Sequence, residues 1–200
     1  MASEHNRVRR KWQDYGGGAA ALAENAFFVS FSEVFKDTDY NIVSKPKEFS
    51  KIYVNVRLND REAQEIYNPE VKITRHGVST DYKIINRKSK KSIYVEVKRQ
   101  DGWVEGKPRS AGRGNAHERS CKFFTPGLLE ILRKESGILP PALPFWTVFQ
   151  GDITRDPCRV REITCWYTGY DAHFFFWRSA PDPDSLFEHF DNCIAPLLER

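Results

Sequence analysis

Residues 81–122 read DYKIINRKSKKSIYVEVKRQDGWVEGKPRSAGRGNAHERSCK, and the first eighteen of them decide the fold. Asp81-Tyr82-Lys83-Ile84-Ile85 and Ser92-Ile93-Tyr94-Val95-Glu96-Val97-Lys98 are two short strand-like segments, and the polar, turn-forming run from Asn86 to Lys91 separates them. That pattern predicts a β-hairpin. Strand side chains alternate between faces, so Ile93, Val95 and Val97 share one side of the second strand while Tyr94, Glu96 and Lys98 share the other.

Outward from the hairpin, strand and helix signals alternate. Upstream, Leu22, Ala26, Phe27, Phe31, Val34 and Phe35 recur at helical spacing and predict a packing helix from Ala19 to about Lys36. Tyr40–Ser44 and Ile52–Val56 read as strands, and Asn59 or Asp60 caps a short helix that ends before Asn68-Pro69. Downstream, Asn115 to Ser136 reads as helical with a break and restart at Thr125-Pro126. Phe145–Phe149 is a buried strand by composition, and His173–Trp177 is a second. Thr154–Trp166 is short helix or strand, undecided by periodicity. Leu186, Phe187, Phe190, Ile194 and Leu197 give an amphipathic helix over 185–198. Residues 1–18 are basic and end in Gly16-Gly17-Gly18, so they read as a flexible N-terminal arm, with residues 19–200 as one domain.

Bulk composition narrows the class. Apolar residues make up 40% of the 200-residue chain and aromatics 14%, which excludes a disordered polypeptide and suits one core of α/β type. The net charge is only +4, so the distribution of charge is the informative feature. Lysine and arginine cluster at 7–11, 83–98 and 107–122, interleaved with acids, a pattern that attracts phosphates overall while leaving carboxylates to hold metal. Cys121, Cys158, Cys165 and Cys193 form no CxxC pair and no zinc-like spacing, and read as reduced thiols of a cytoplasmic protein. No apolar run is long enough for a membrane span, so no membrane partner is expected.

Two constellations carry chemistry. Pairing the hairpin strands brings Asp81 toward Glu96 and Lys98. Two carboxylates suit a hard cation such as Mg²⁺, and a neighbouring ammonium can stabilise charge that develops on a phosphate. Taken alone, Glu-x-Lys after an upstream aspartate also fits an ordinary exposed strand face. In Ser110-Ala111-Gly112-Arg113-Gly114-Asn115-Ala116-His117-Glu118-Arg119-Ser120, glycines permit close backbone approach. Arginine can fork onto guanine O6 and N7, and asparagine can pair with adenine N6 and N7. A direct reader of DNA bases and a generic phosphate-binding loop are both consistent with these residues.

The same residues resemble a known family. Glu96-Val97-Lys98-Arg99-Gln100-Asp101-Gly102-Trp103-Val104-Glu105-Gly106-Lys107 and Ser110–Lys122 are similar to the MunI-like type II restriction endonucleases, in the EcoRI-like branch of the PD-(D/E)XK nucleases. Phe124-Thr125-Pro126-Gly127-Leu128-Leu129, Leu143-Pro144-Phe145-Trp146 and Gly151–Pro157 extend the likeness, which runs from about residue 40 onward. The resemblance implies a PD-(D/E)XK core, a central mixed β-sheet flanked by helices. It implies a Mg²⁺-dependent homodimer that cuts double-stranded DNA at the palindrome CAATTG after the first base, leaving 5′ AATT overhangs, with a separate methyltransferase protecting the same site.

By the same resemblance Asp81, Glu96 and Lys98 are catalytic, with Asp81 and Glu96 holding the metal. Asn115, Ala116 and Arg119 match the reader of the inner bases, and Arg113 matches the arginine assigned to the outer C·G pair. Lys107, Gly112, Gly114, His117 and Lys122 are expected to contact the DNA backbone or support the reader. Thr80 departs from the proline that precedes the aspartate in the family motif; it shapes the turn and leaves Asp81 in place. Two rival readings are a structure-selective repair nuclease with the same core and a sequence-specific DNA-binding protein that does not cut. The base-reading segment disfavours the first, and the intact Asp81, Glu96, Lys98 set disfavours the second.

Overall fold

The computed structural model describes residues 21–101, 117–178 and 183–199. The arm expected over residues 1–18 lies outside them. Five strands form one mixed sheet in the order β1-β2-β3-β4-β5: Tyr40–Ser44, Tyr82–Asn86, Ser92–Arg99, Phe145–Gln150 and Phe174–Trp177. β1 and β2 are antiparallel, as are β2 and β3, whereas β3, β4 and β5 run parallel. The parallel half follows from connectivity, because α3 (Pro126–Ser136) and α4 (Pro157–Trp166) lie between successive strands and return the chain to the same sheet end.

The alternation expected in β3 sorts the core into two layers. Ile93, Val95 and Val97 face α1 (residues 21–34), where Ala23, Phe27 and Phe31 are packed, and the C-terminal helical run with Leu186, Phe190, Ile194 and Leu198. Tyr94 faces the other way, against Phe123, Leu128, Leu132, Ile163 and Tyr167. The result is an α/β sheet covered on both sides, consistent with strands whose residues are nearly all buried. Aromatic rings dominate the first layer. Phe31 has ring centroids of Phe27, Phe35, Phe187, Phe190 and Trp146 at 4.7, 5.1, 5.2, 5.4 and 6.0 Å.

Helix ends follow their local chemistry. Asn59 accepts from the Glu62 amide and Glu62 reaches back to the Asn59 amide, a capping box that starts α2 (Asp60–Glu65). The Asp156 carboxylate accepts from the amides of Cys158 and Arg159 ahead of Pro157, which resolves the undecided stretch as helix α4. The helix expected from Asn115 to Ser136 is divided: Glu118–Phe124 is a 3-10 segment, and α3 begins at Pro126. The C-terminal helix is continuous from Asp184 to Glu199 as α5 (Asp184–His189), a π-turn (Phe190–Ile194) and α6 (Ala195–Glu199).

One expected strand is absent. Ile52–Val56 forms turns: the Val54 and Val56 amides donate back to Lys51 and Tyr53. The Tyr53 amide donates to the His76 carbonyl, and Val56 is 59% exposed while Ile52 packs partly against the second layer, so the apparent alternation pairs with no strand. Gly77 nearby is dictated by contact, since a Cβ there would lie 1.9 Å from the Phe49 carbonyl oxygen. Because Phe31 is fully buried among five aromatic rings, Phe31→Ala is expected to cost about 3–5 kcal/mol in equilibrium denaturant unfolding. A loss under about 1 kcal/mol would mean that this layer does not hold the fold.

Candidate active site

β2 begins at Tyr82, opposite Val95, while β3 continues past it to Arg99. The overhang decides where Asp81 goes. Its amide donates to the Val95 carbonyl at 3.1 Å, and its carboxylate Oδ2 accepts the Val97 amide at 2.8 Å, replacing the strand that would otherwise satisfy that donor. Glu96 and Lys98 project from the β3 face opposite Val95 and Val97, as the strand period requires. Lys98 Nζ lies 3.5 Å from Asp81 Oδ2 and pairs directly with Glu96 Oε2. The three residues expected to be catalytic are therefore one contiguous cluster.

The electrostatics are those of a buried centre. Glu96 is 4% exposed, and burial pushes its carboxyl up to about 7; Lys98 pulls it back and Asp81 pushes it further up. Burial works to lower the Lys98 ammonium, but Glu96 and Asp81 outweigh it and the net shift is upward, so Lys98 stays charged. Glu96 Oε1 is buried with no hydrogen-bond partner among the described residues. An anionic oxygen without a partner, next to a second carboxylate, fits the donor set of a hard divalent cation. Asp81 and Glu96 are the residues that would hold it.

Comparison with known proteins decides the family. The model of the type II restriction enzyme MunI family matches residues 1–199. The type II restriction enzyme MunI of Mycoplasma sp is 48% identical over 194 residues, covering 96% of each chain. The crystal structure of MunI restriction endonuclease in complex with cognate DNA superposes with a TM-score of 0.77 at 50% identity, over 84% of this chain and 87% of that one. The chain belongs to the MunI family of type II restriction enzymes.

The residues expected to read DNA divide between what the structure describes and what it does not. Lys107, Gly112, Arg113, Gly114, Asn115 and Ala116 lie outside the described residues. Arg119 is exposed on the 3-10 segment, as is Lys122, whose charge bears on Glu96 and whose Nζ sits 5.0 Å over the Phe123 ring. His117 is fully buried: its ring stacks on Trp166 at 5.4 Å and its Nδ1 meets Gln100 Oε1 at 3.2 Å. It is thus a packed interior group, not an exposed contact to a DNA backbone. The contact joins the two described ends of the stretch that carries Arg113 and Asn115.

Two neighbours of the site escaped the sequence reading. Glu24, on α1, has its carboxyl raised by burial and then by Asp81, with Lys98 and Lys45 opposing. Its carbonyl accepts the Tyr82 hydroxyl at 2.8 Å, which ties α1 to the residue beside Asp81. Glu162, on α4, lies against His117. Each meets its partner only through tertiary packing, and no local pattern states which acid faces the sheet end.

The shifted Glu96 carboxyl gives a pH dependence with a definite sign. A proton competes with a cation for the same carboxylate, and the folded value of about 7 lies above the ordinary 4.5, so metal affinity is full above about 7 and falls below it. Calorimetric titration with Mg²⁺ one pH unit below and one above that value should show affinity weaker by about tenfold at the lower pH. Equal affinities would place the proton elsewhere.

Proposed function

We propose that this chain is a Mg²⁺-dependent endonuclease that cuts double-stranded DNA at CAATTG after the first base, leaving 5′ AATT overhangs. The carrying observation is the convergence of Asp81, Glu96 and Lys98 at the end of β3, immediately ahead of the segment holding Gly112, Arg113, Asn115 and Arg119. The relative solved with its cognate DNA supports double-stranded DNA as the substrate.

Mg²⁺ held by the Asp81 and Glu96 carboxylates would supply a Lewis acid for the scissile phosphate. Asp81 is held ready for this by the Val97 amide, which fixes one oxygen and leaves the other available. Lys98 stays protonated between the two acids, where its ammonium orients the attacking water and offsets negative charge developing on the phosphate. Arg113 takes the guanine of the outer pair, Asn115, Ala116 and Arg119 take the inner AATT, and Lys107, Gly112, Gly114 and Lys122 support or contact the backbone.

A palindrome presents two identical half-sites related by a two-fold axis, so the working species is a homodimer in which each subunit cuts one strand. Such an enzyme works in the cytoplasm beside its own genome, which requires a methyltransferase of the same specificity acting separately. Among the described residues no helix is long and apolar enough to cross a membrane.

Digestion of a plasmid of known sequence with Mg²⁺, followed by sequencing of the ends, tests this directly. Fragments ending in AATT at CAATTG are expected, with Lys98→Ala and Asp81→Ala leaving the plasmid intact; cuts at another palindrome would overturn the specificity, and an active Lys98→Ala would remove Lys98 from the chemistry. For Arg113→Ala, competition between CAATTG and sites altered at the outer pair should show discrimination reduced by about 1–3 kcal/mol. Unchanged discrimination would assign the outer pair to another residue.

A further inference from the structure

A second group of ligand-type side chains uses none of the residues of the Asp81–Glu96 centre. His117, Glu118 and Glu162 offer a ring nitrogen and two carboxylate oxygens that all lie within 4.8 Å of one another. His117, at the start of the 3-10 segment, is 0% exposed, whereas Glu118 is exposed and Glu162 half-buried on α4. Acids gathered at a surface would mean little; the buried imidazole is what singles out this group.

Its hydrogen bonding is incomplete in an informative way. Nδ1 lies 3.2 Å from Gln100 Oε1, and a carbonyl oxygen only accepts, so Nδ1 carries the proton. In the neutral ring Nε2 is then a lone pair. That lone pair is buried, has no hydrogen-bond partner, and stands 3.4 Å from Glu162 Oε2, another acceptor. Glu162 Oε2 is also held by the Arg159 guanidinium and its side chain is 31% exposed, so the unfilled position is the buried Nε2 lone pair, with a Glu118 carboxylate oxygen within 4.8 Å of the imidazole.

We propose that His117, Glu118 and Glu162 form a second metal site, for a borderline transition ion of the Zn²⁺ type. One imidazole with two carboxylates is a donor set for such ions, and imidazole discriminates against Mg²⁺. The surroundings match those of a metal-binding histidine, whose outer N–H is held by an oxygen and whose partner carboxylate is itself hydrogen-bonded. Gln100 plays the first part, and Arg159, paired with Glu162, plays the second. The Trp166 ring, stacked at 11° to the imidazole, fixes its plane. An ion here clamps the return end of the 102–116 stretch to α4, so its effect falls on holding DNA rather than on cutting it.

The test uses the full chain carrying Asp81→Asn and Glu96→Gln, which removes the other centre. This protein is loaded with Zn²⁺, dialysed against excess Mg²⁺ and assayed for bound zinc by mass spectrometry. Because the exposed thiols of Cys158 and Cys165 take up zinc in their own right, the quantity read is the difference between variants. Adding His117→Ala is expected to remove one Zn²⁺ per chain. Adding Glu118→Gln, at an exposed side chain that folding does not depend on, should remove the same ion and abolish the rise in melting temperature that Zn²⁺ gives the parent. Equal zinc content in the parent and the Glu118→Gln protein would overturn the site, as would a parent that retains none.

Discussion

A carboxylate only 4% exposed is expensive to keep charged, and the arrangement around Glu96 is the answer to that cost. Lys98 leaves the same face of β3 two residues on, so the strand period itself delivers a counter-charge. Asp81 is held by the Val97 amide on the far side of the ammonium, and the cluster carries two negative charges against one positive. Burial is the main reason that Glu96 holds its proton up to about 7, with Lys98 opposing it and Asp81 adding to it. A divalent ion would displace that proton and satisfy the unpaired Oε1 together. Stability is conceded locally so that metal binding has something to gain.

The rest of the fold serves that concession. The α1 layer and the C-terminal helix cover Ile93, Val95 and Val97 with a continuous aromatic cluster, which fixes β3 from behind. Parallel pairing with β4 holds Glu96 opposite Thr147 and Lys98 opposite Phe149, a register that burial of Trp146 and Val148 on the α1 side prevents from slipping. Other buried polar groups close this layer without entering the site. His173 accepts the Leu143 amide and donates to the Phe145 carbonyl, and burial lowers its pKa to about 4, so it is a neutral structural bridge at the start of β4.

Much of this was legible in the sequence because it is local. The β3 alternation, the hairpin turn and the aromatic period of α1 each state a burial pattern within a few residues, and each is found. The cap at Asp156-Pro157 carried enough information to settle α4, but its neighbours lacked a clean period and the stretch stayed ambiguous. Ile52–Val56 failed for the complementary reason: alternation describes a face, and whether any layer waits to receive it is decided elsewhere in the chain. Glu24 and Glu162 were invisible on the same ground, each separated from its partner by a long stretch of sequence. The resemblance of Glu96–Lys122 to a known family reached further than periodicity because a motif encodes tertiary proximity that no local rule contains.

The end of β3 and the described start of the segment after residue 116 are joined by a short physical path. β3 ends at Arg99, whose guanidinium is tied to Asp101 at 2.6 Å and to Gln150 at 3.1 Å, and the next residue, Gln100, meets His117. Gly151 sits against this junction, where a Cβ would lie 2.4 Å from Asp101 Oδ1, so the backbone there has no slack. Within five residues of His117, Lys122 brings its charge to bear on Glu96. The two described ends of the stretch between Asp101 and His117 therefore touch the strand and the charge balance of the cluster. A packed junction of this kind holds its groups in place, because close-packed interiors have few voids into which a side chain can relax. That stiffness fixes Gln100 and His117 relative to the end of β3 and so to the face that carries Glu96 and Lys98.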